Sequence, residues 1–250
     1  GSFSYISLSN LIQSSDGGFI LAGSQTLEVG DGDFAGQVGI IIKTDNEGNE
    51  QWRTTYELNN YFWFESIIET NDDGYILLGK SGGDFLLKTD GYGNEQWSSS
   101  LPDNFHGYSL QYTSDGGYII SGDISTNEAD VDLPAMVKTN QNGIEEWFQM
   151  YGDEEGWGFA SYQTIDEGLI LAANISESIF SSADNFYIIK TDNNGNELWR
   201  NSVGDVSAEA IALSETIDGG AIITGYTYSS GNGMQPFLIK ITGNPTETST

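Results

Sequence analysis

Residues 187–199 read Y-I-I-K-T-D-N-N-G-N-E-L-W, and the chain repeats that line along its length. Residues 41–52 are I-I-K-T-D-N-E-G-N-E-Q-W, residues 86–97 L-L-K-T-D-G-Y-G-N-E-Q-W, and residues 136–147 M-V-K-T-N-Q-N-G-I-E-E-W. A fifth copy begins at Leu238 as L-I-K-I-T-G and then runs out. The lysines of the five copies, Lys43, Lys88, Lys138, Lys190 and Lys240, fall 45, 50, 52 and 50 residues apart. A unit this short cannot bury its apolar face alone, so it must stack on copies of itself.

A second motif runs in phase with the first. It appears as S-D-G-G-F-I-L from Ser15, D-D-G-Y-I-L from Asp72, D-G-G-Y-I-I from Asp115, D-E-G-L-I-L from Asp166 and D-G-G-A-I-I from Asp218. Asp-Gly and Gly-Gly supply the positive φ of a tight hairpin, and the glycine before each tryptophan serves a second hairpin in the same way. One unit therefore reads strand a, Asp-Gly hairpin, strand b, a longer loop, strand c, hairpin, strand d. In the fourth copy the strands are expected at about 158–164, 168–175, 185–191 and 196–203. Four antiparallel strands every ~40–50 residues mark a β-propeller blade. The expected fold is all-β, a single five-bladed propeller domain over 1–250. Its blades lie at about 5–56, 61–100, 105–150, 157–203 and 207–250. The fifth blade lacks a recognisable strand d: either residues 246–250 supply a short one, or the outermost strand is missing.

Composition agrees and narrows the function classes. Glycine is high at 32 residues, proline low at 4, and Tyr, Phe, Ile and Thr are abundant, as in a turn-rich β protein. Without cysteine there is no disulfide framework, thiolate nucleophile or thiolate metal site. Eight basic residues against 37 acidic ones give a net charge of −29, which repels phosphate backbones and anionic lipid. No nucleic-acid partner and no membrane insertion are expected, since no apolar run is long enough to span a bilayer. Gly1-Ser2 opens without methionine, so the natural polypeptide is expected to extend past both ends as part of a longer surface protein.

The pairing of D-G-G-Y-I-I with I-I-K-T-D-x-x-G-N-E-x-W resembles the quinoprotein-like propeller repeats of archaeal and bacterial secreted and cell-surface proteins. The resemblance covers essentially the whole chain. The turn-then-tryptophan element looks like that family's tryptophan-docking motif, which makes Trp52, Trp97, Trp147 and Trp199 docking residues. The fifth copy departs by having none. The resemblance implies a propeller and an extracellular or cell-surface location; it implies no reaction.

Several candidate sites can be weighed. The turn at Asp192 offers oxygens to calcium, but a calcium hand needs its glycine sixth and a distant glutamate, whereas here glycine is fourth. Asn140 replaces the aspartate in the third copy. Turn chemistry is the better account, so no cofactor is expected and calcium remains the weaker alternative. The five lysines are expected to pair with the following turn or with a neighbouring blade's aspartate. His106 is the only histidine and no G-x-S-x-G elbow accompanies it, so neither a histidine metal site nor a serine triad is indicated.

Differences between copies say more. Aligning on the Asp-Gly hairpin brings Ser7, Trp63, His106, Trp157 and Glu209 to one position at the start of strand a. Trp63 and Trp157 are the two tryptophans outside the docking position. With His106, Tyr61, Phe105, Tyr108 and Glu209 they form an expected recognition surface at the strand ends where the variable b–c loops open. Flat aromatics suit sugar faces or apolar peptide side chains, and the acidic loops suit hydroxyls or basic partners. The competing account is that these aromatics fill space between blades. The functional expectation is a non-catalytic extracellular binding or scaffold module for carbohydrate or protein. The alternative is a carboxylate-dependent glycan hydrolase or lyase.

Overall fold

The structure, a computed structural model, describes residues 5–29, 33–57, 61–126, 131–176, 184–203, 208–216, 221–229 and 233–241. The first sheet joins β1 (Ile6–Gln13), β2 (Phe19–Val29), β3 (Asp33–Thr44) and β4 (Glu50–Tyr56) in sequence order. The second joins β5 (Trp63–Glu69), β6 (Tyr75–Lys80), β7 (Asp84–Thr89) and β8 (Glu95–Ser100). The third holds β9 (Phe105–Tyr112), β10 (Tyr118–Thr126), β11 (Val131–Thr139) and β12 (Glu145–Met150). The fourth holds β13 (Gly156–Gln163), β14 (Leu169–Ser176), β15 (Asp184–Thr191) and β16 (Glu197–Val203). The fifth has β17 (Ala208–Glu215), β18 (Ala221–Ser229) and β19 (Gly233–Ile241). Every pairing is between sequential antiparallel strands. The fold is a five-bladed β-propeller with three strands in its last blade among the described residues. The suggested short strand at 246–250 and the fifth hairpin at 218–220 lie outside the described residues. The chain divides into two compact units, Gly1–Asp103 with the first two blades and Asn104–Thr250 with the other three.

One expectation is corrected. In the first and third blades the stretch read as a longer loop between strands b and c is mostly ladder, with pairing running to Val29↔Asp33 and Thr126↔Val131, whereas in the fourth blade the pairing ends at Ser176↔Asp184, within one residue of expectation. Differences in length between copies therefore become differences in hairpin length.

Strand b reads as a continuous apolar run because both of its faces are packed. Ile20, Ala22 and Ile41 of the first blade share a core with Phe62, Phe64, Ile67, Tyr75 and Leu77 of the second. In the fourth blade Leu169, Leu171 and Ala173 meet Ile119 and Met136 of the third. The alternate residues Ile170 and Ala172 meet Ala221 and Ile223 of the fifth.

The repeated lysine is an internal strut of each blade. Lys43, Lys88, Lys138 and Lys190 are buried, and each ion-pairs with the aspartate of its own blade's a–b hairpin: Asp16 at 2.7 Å, Asp72 at 2.9 Å, Asp115 and Asp166 at 2.8 Å. The expected partner, the following turn or a neighbouring blade's aspartate, is corrected to the blade's own a–b hairpin for these four lysines; Lys138 also reaches Glu146, on β12 past the turn, at 2.8 Å. The ammonium of Lys43, Lys88 and Lys138 also donates to the backbone carbonyl of the next residue, Thr44, Thr89 or Thr139. This explains the second glycine of the hairpin motif. A Cβ on Gly18, Gly74, Gly117 or Gly168 would lie 2.1–2.6 Å from the lysine Nζ and 2.1–2.3 Å from the threonine carbonyl oxygen.

Neighbouring blades are joined differently. At Gly93 a Cβ would lie 3.1 Å from the Trp52 ring, and at Gly195 2.7 Å from the Trp147 ring, so each indole lies over the turn of the next blade. Trp147 Nε1 donates to the Asn193 carbonyl at 3.3 Å. Tyr56 and Tyr151, four residues after those tryptophans, donate their hydroxyls to the carbonyls of Gly93 and Gly195. At the other hairpin, the Ser15 and Ser114 amides donate across the junction to Glu69 and Gln163.

Candidate ligand-binding site

The strand-a alignment holds in register. Ser7 pairs with Ser24, Trp63 with Lys80, His106 with Asp123, Trp157 with Asn174 and Glu209 with Tyr226. The structure brings the expected recognition residues together only in part. Trp63 is half-buried, and its indole N–H donates to Glu65 at 3.2 Å. Glu65 lies 3.9 Å from Lys80 Nζ, which is 3.8 Å from Asp84. Tyr61 is exposed and bridges by backbone to Gln37. His106 is exposed and Trp157 half-buried, and Tyr108 stacks on Phe159 of the next blade at 6.4 Å. Phe105 does not belong to a surface: it is 1% exposed and packs edge-to-face on Phe148. The side chain of Glu209 lies outside the described residues. Asn174, which opens an Asn-Ile-Ser triplet, is likewise buried within β14, where no oligosaccharide could be attached.

The larger described cleft sits at the opposite strand ends. A groove of about 950 Å³ runs across the hairpins of the first two blades. Its acidic lining is Asp16, Glu69, Asp72, Asp73 and Asp90, and its aromatic lining Trp52, Tyr75 and Tyr92. Tyr92, next to Gly93 in the turn, is 76% exposed and offers an open ring face. A smaller cleft of about 450 Å³ occupies the same end of the second unit, lined by Gln111, Tyr112, Ser114, Tyr162 and Gln163 among others, without a charged group.

Three of the groove carboxylates, Asp16, Asp72 and Asp90, are held ionised by local donors. Lys43 first, then Ser14 and the Gly18 amide, keep Asp16 well below the usual carboxylate range. Thr70 does most to lower Asp72, with burial opposing and Lys88 adding to the effect. Asp90 is lowered chiefly by the Asn94 side chain, and its oxygens accept from the amides of Tyr92 and Asn94 in its own turn. The same capping ties up Asp45 and Asp192, which spends on backbone the oxygens a calcium loop would turn inward. Tyr75 registers the resulting field: burial, then Glu69, Asp16 and Asp73, push its phenol up to about 12. A general acid for glycoside cleavage needs a carboxyl raised toward neutrality, and Asp16, Asp72 and Asp90 are shifted the other way.

Sequence reasoning missed this groove because it took both short hairpins as plain scaffold. The available signal was the variation inside them, with Asp73 and Tyr92 placed where other copies carry glycine or asparagine and glutamate. It also missed the strand-b position opposite the aligned tryptophans, where Ser24, Lys80, Asp123 and Asn174 are all buried polar residues.

No family model and no curated protein matches the sequence. Solved structures do match in fold. A protein of unknown function from Dyadobacter fermentans superposes with a TM-score of 0.65 at 9% identity, covering 94% of this chain and 79% of that one. A protein of unknown function from Bacteroides caccae gives 0.53 at 11% identity, covering 88% and 73%. A polysaccharide lyase, the PL25 ulvan lyase, gives 0.56 at 9% identity, covering 91% and 68%. At these identities the likeness is one of fold.

Proposed function

We propose that this propeller is a non-catalytic, extracellular or cell-surface binding module that recognises carbohydrate, with the groove of the first two blades as its site. The observation that carries the reading is the pairing of an open Tyr92 ring with carboxylates held ionised around it. Sugar rings stack on such a face, and their hydroxyls donate to acidic oxygens. The negative field selects neutral or amino sugars over uronates and sulfated glycans. The quinoprotein-like repeat pattern supports the surface location, and the module would then be one part of a longer surface protein. The reading requires no cofactor.

A glycan array and a cell-wall pull-down with wild type, Tyr92→Ala and Trp63→Ala test it. Neutral or amino-sugar binding that falls roughly tenfold in Tyr92→Ala alone, as for loss of one stacking anchor, supports the groove. Loss in Trp63→Ala alone moves the site to the other strand ends, and no binding by wild type refutes the reading. The second reading, a carboxylate-dependent hydrolase or lyase, draws on the polysaccharide lyase among the fold neighbours. Release of reducing ends or unsaturated products from the bound glycan would favour it.

A further inference from the structure

The second blade departs from its copies three times at one place on the groove. Asp73 stands where the first and third blades carry Gly17 and Gly116. Gly91 stands where other copies carry Asn46, Gln141 and Asn193, and Tyr92 where they carry Glu47, Asn142 and Asn194. The three departures fit one another. A Cβ on Gly91 would lie 2.7 Å from the Asp73 carbonyl oxygen, so glycine lets the c–d turn close on the a–b hairpin, with Tyr92 the next residue along. Asp73 holds φ +60, a conformation that glycine adopts more easily. The fourth blade also carries an acid there, Glu167, but its turn has asparagines and no aromatic.

Asp73 is also the groove acid whose oxygens the protein leaves open. Asp16 pairs with Lys43 at 2.7 Å and accepts from Ser14 and the Gly18 amide. Asp72 pairs with Lys88 at 2.9 Å and accepts from Thr70. Glu69 accepts from the amide and hydroxyl of Ser15, and Asp90 from Asn94 and the Tyr92 amide. Among the described residues no donor reaches the exposed Asp73 carboxylate. Nor, among those residues, do three acidic side chains gather closely enough to hold one metal ion. The negative charge is spread along a cleft of about 950 Å³ beside an open aromatic ring. That arrangement suits an organic cation with a flat body better than a point charge.

Resting on the carbohydrate reading of this groove, we propose that its ligand is an amino sugar with a free ammonium group, and that Asp73 is the residue that selects it. The sugar ring stacks on Tyr92 and the protonated amine donates to Asp73. That bond is charge-assisted, and neither a neutral hydroxyl nor an acetylated amine matches it. The backbone strain at Asp73 then has a use, since glycine would relieve it and delete the carboxylate.

Calorimetric titration of the 250-residue chain with a deacetylated glucosamine hexamer, its N-acetylated counterpart and a lysine hexamer tests the proposal. At about pH 6 the amine is protonated and the carboxylates are ionised. The deacetylated sugar should bind about tenfold more tightly than the acetylated one, the scale of one charge-assisted bond, and added salt should narrow the gap by screening. Tyr92→Ala should weaken both sugars. Asp73→Asn and Asp73→Gly should each cut the preference to about threefold or less. Asparagine and glycine both accept positive φ, so neither variant should melt below wild type. Equal affinity for the two sugars, with both lost in Tyr92→Ala, would overturn the amine inference and leave the carbohydrate reading standing. A preference that survives both Asp73 variants would overturn the role of Asp73. A lysine hexamer that binds as tightly as the amino sugar would show that charge alone is read, and would overturn the proposal. Binding of neither sugar would overturn it too, and the glycan array then decides the carbohydrate reading separately.

Discussion

Replacing Gly117 by alanine would set a Cβ 2.1 Å from the Thr139 carbonyl oxygen and 2.5 Å from Lys138 Nζ. Neither neighbour can yield cheaply. The carbonyl belongs to β11, and the ammonium is the strut that ties β11 to the a–b hairpin through Asp115 at 2.8 Å. Displacing Lys138 also breaks its bonds to Glu146 at 2.8 Å and to the Thr139 carbonyl at 2.9 Å. Overpacking alone costs about 1–3 kcal/mol, and leaving a buried charge without partners costs about 3–5 kcal/mol. Asp115 is 56% exposed and can be replaced in part by water, which places the expected loss near the low end, about 3 kcal/mol. The control is one residue away. Gly116 has φ +85 but nothing within 4 Å of a Cβ, so alanine there meets only backbone strain of about 1–2 kcal/mol. Scanning calorimetry should show Gly117→Ala lowering the melting temperature by about 6–12 °C, and Gly116→Ala by less than half as much. A Gly116→Ala loss equal to or larger than that of Gly117→Ala would refute the strut, since glycine would then serve conformation rather than space.

Two further outcomes follow from the same hairpins. Asp73 and Glu167 occupy positive φ, +60 and +64, where the first and third blades use Gly17 and Gly116; Asp73→Gly and Glu167→Gly should each stabilise by about 1 kcal/mol in urea denaturation. Burial works against ionisation of Asp115, yet donors from Lys138, Thr113 and the Gly117 amide hold its pKa at about 2. A depressed carboxylate adds stability above its unfolded value of about 3.9, and that stability is lost as pH falls through the folded value. Acid titration should therefore show stability falling between about pH 4 and pH 2, and Asp115→Asn should flatten that slope.

The blades were legible because their punctuation is chemical: Asp-Gly and the glycine before each tryptophan fix hairpins wherever they occur. In the fourth copy the expected strands fall within two residues of β13 to β16. What the sequence hid was the purpose of particular residues. Gly17 and Gly18 look alike in print, yet one is needed for its φ and the other for the space taken by Lys43 and Thr44. Tyr56 and Tyr151 gave a signal, a tyrosine four residues past the tryptophan, but Leu101 interrupts it in the second blade. Phe105 looked like a surface aromatic because it adjoins His106 at the start of strand a, whereas its ring is buried against Phe148 of the same blade. Trp63 and Trp157 were found by departing from the repeat, and the groove escaped because it is assembled from residues inside the repeat.

The ion pairs described above, together with Arg53–Glu50 and Arg200–Glu197, each lie inside a single blade. The links between neighbours are apolar contacts, indole rings on turns, and hydrogen bonds that mostly have a backbone partner, the Ser15 hydroxyl donating to the Glu69 carboxylate being side chain to side chain. A blade thus keeps its buried lysine paired within itself and meets its neighbour chiefly by shape. Duplicating or deleting one of the first four copies carries Lys43, Lys88, Lys138 or Lys190 along with the aspartate it pairs with, so a gene built from such segments can change its number of blades without stranding a buried lysine.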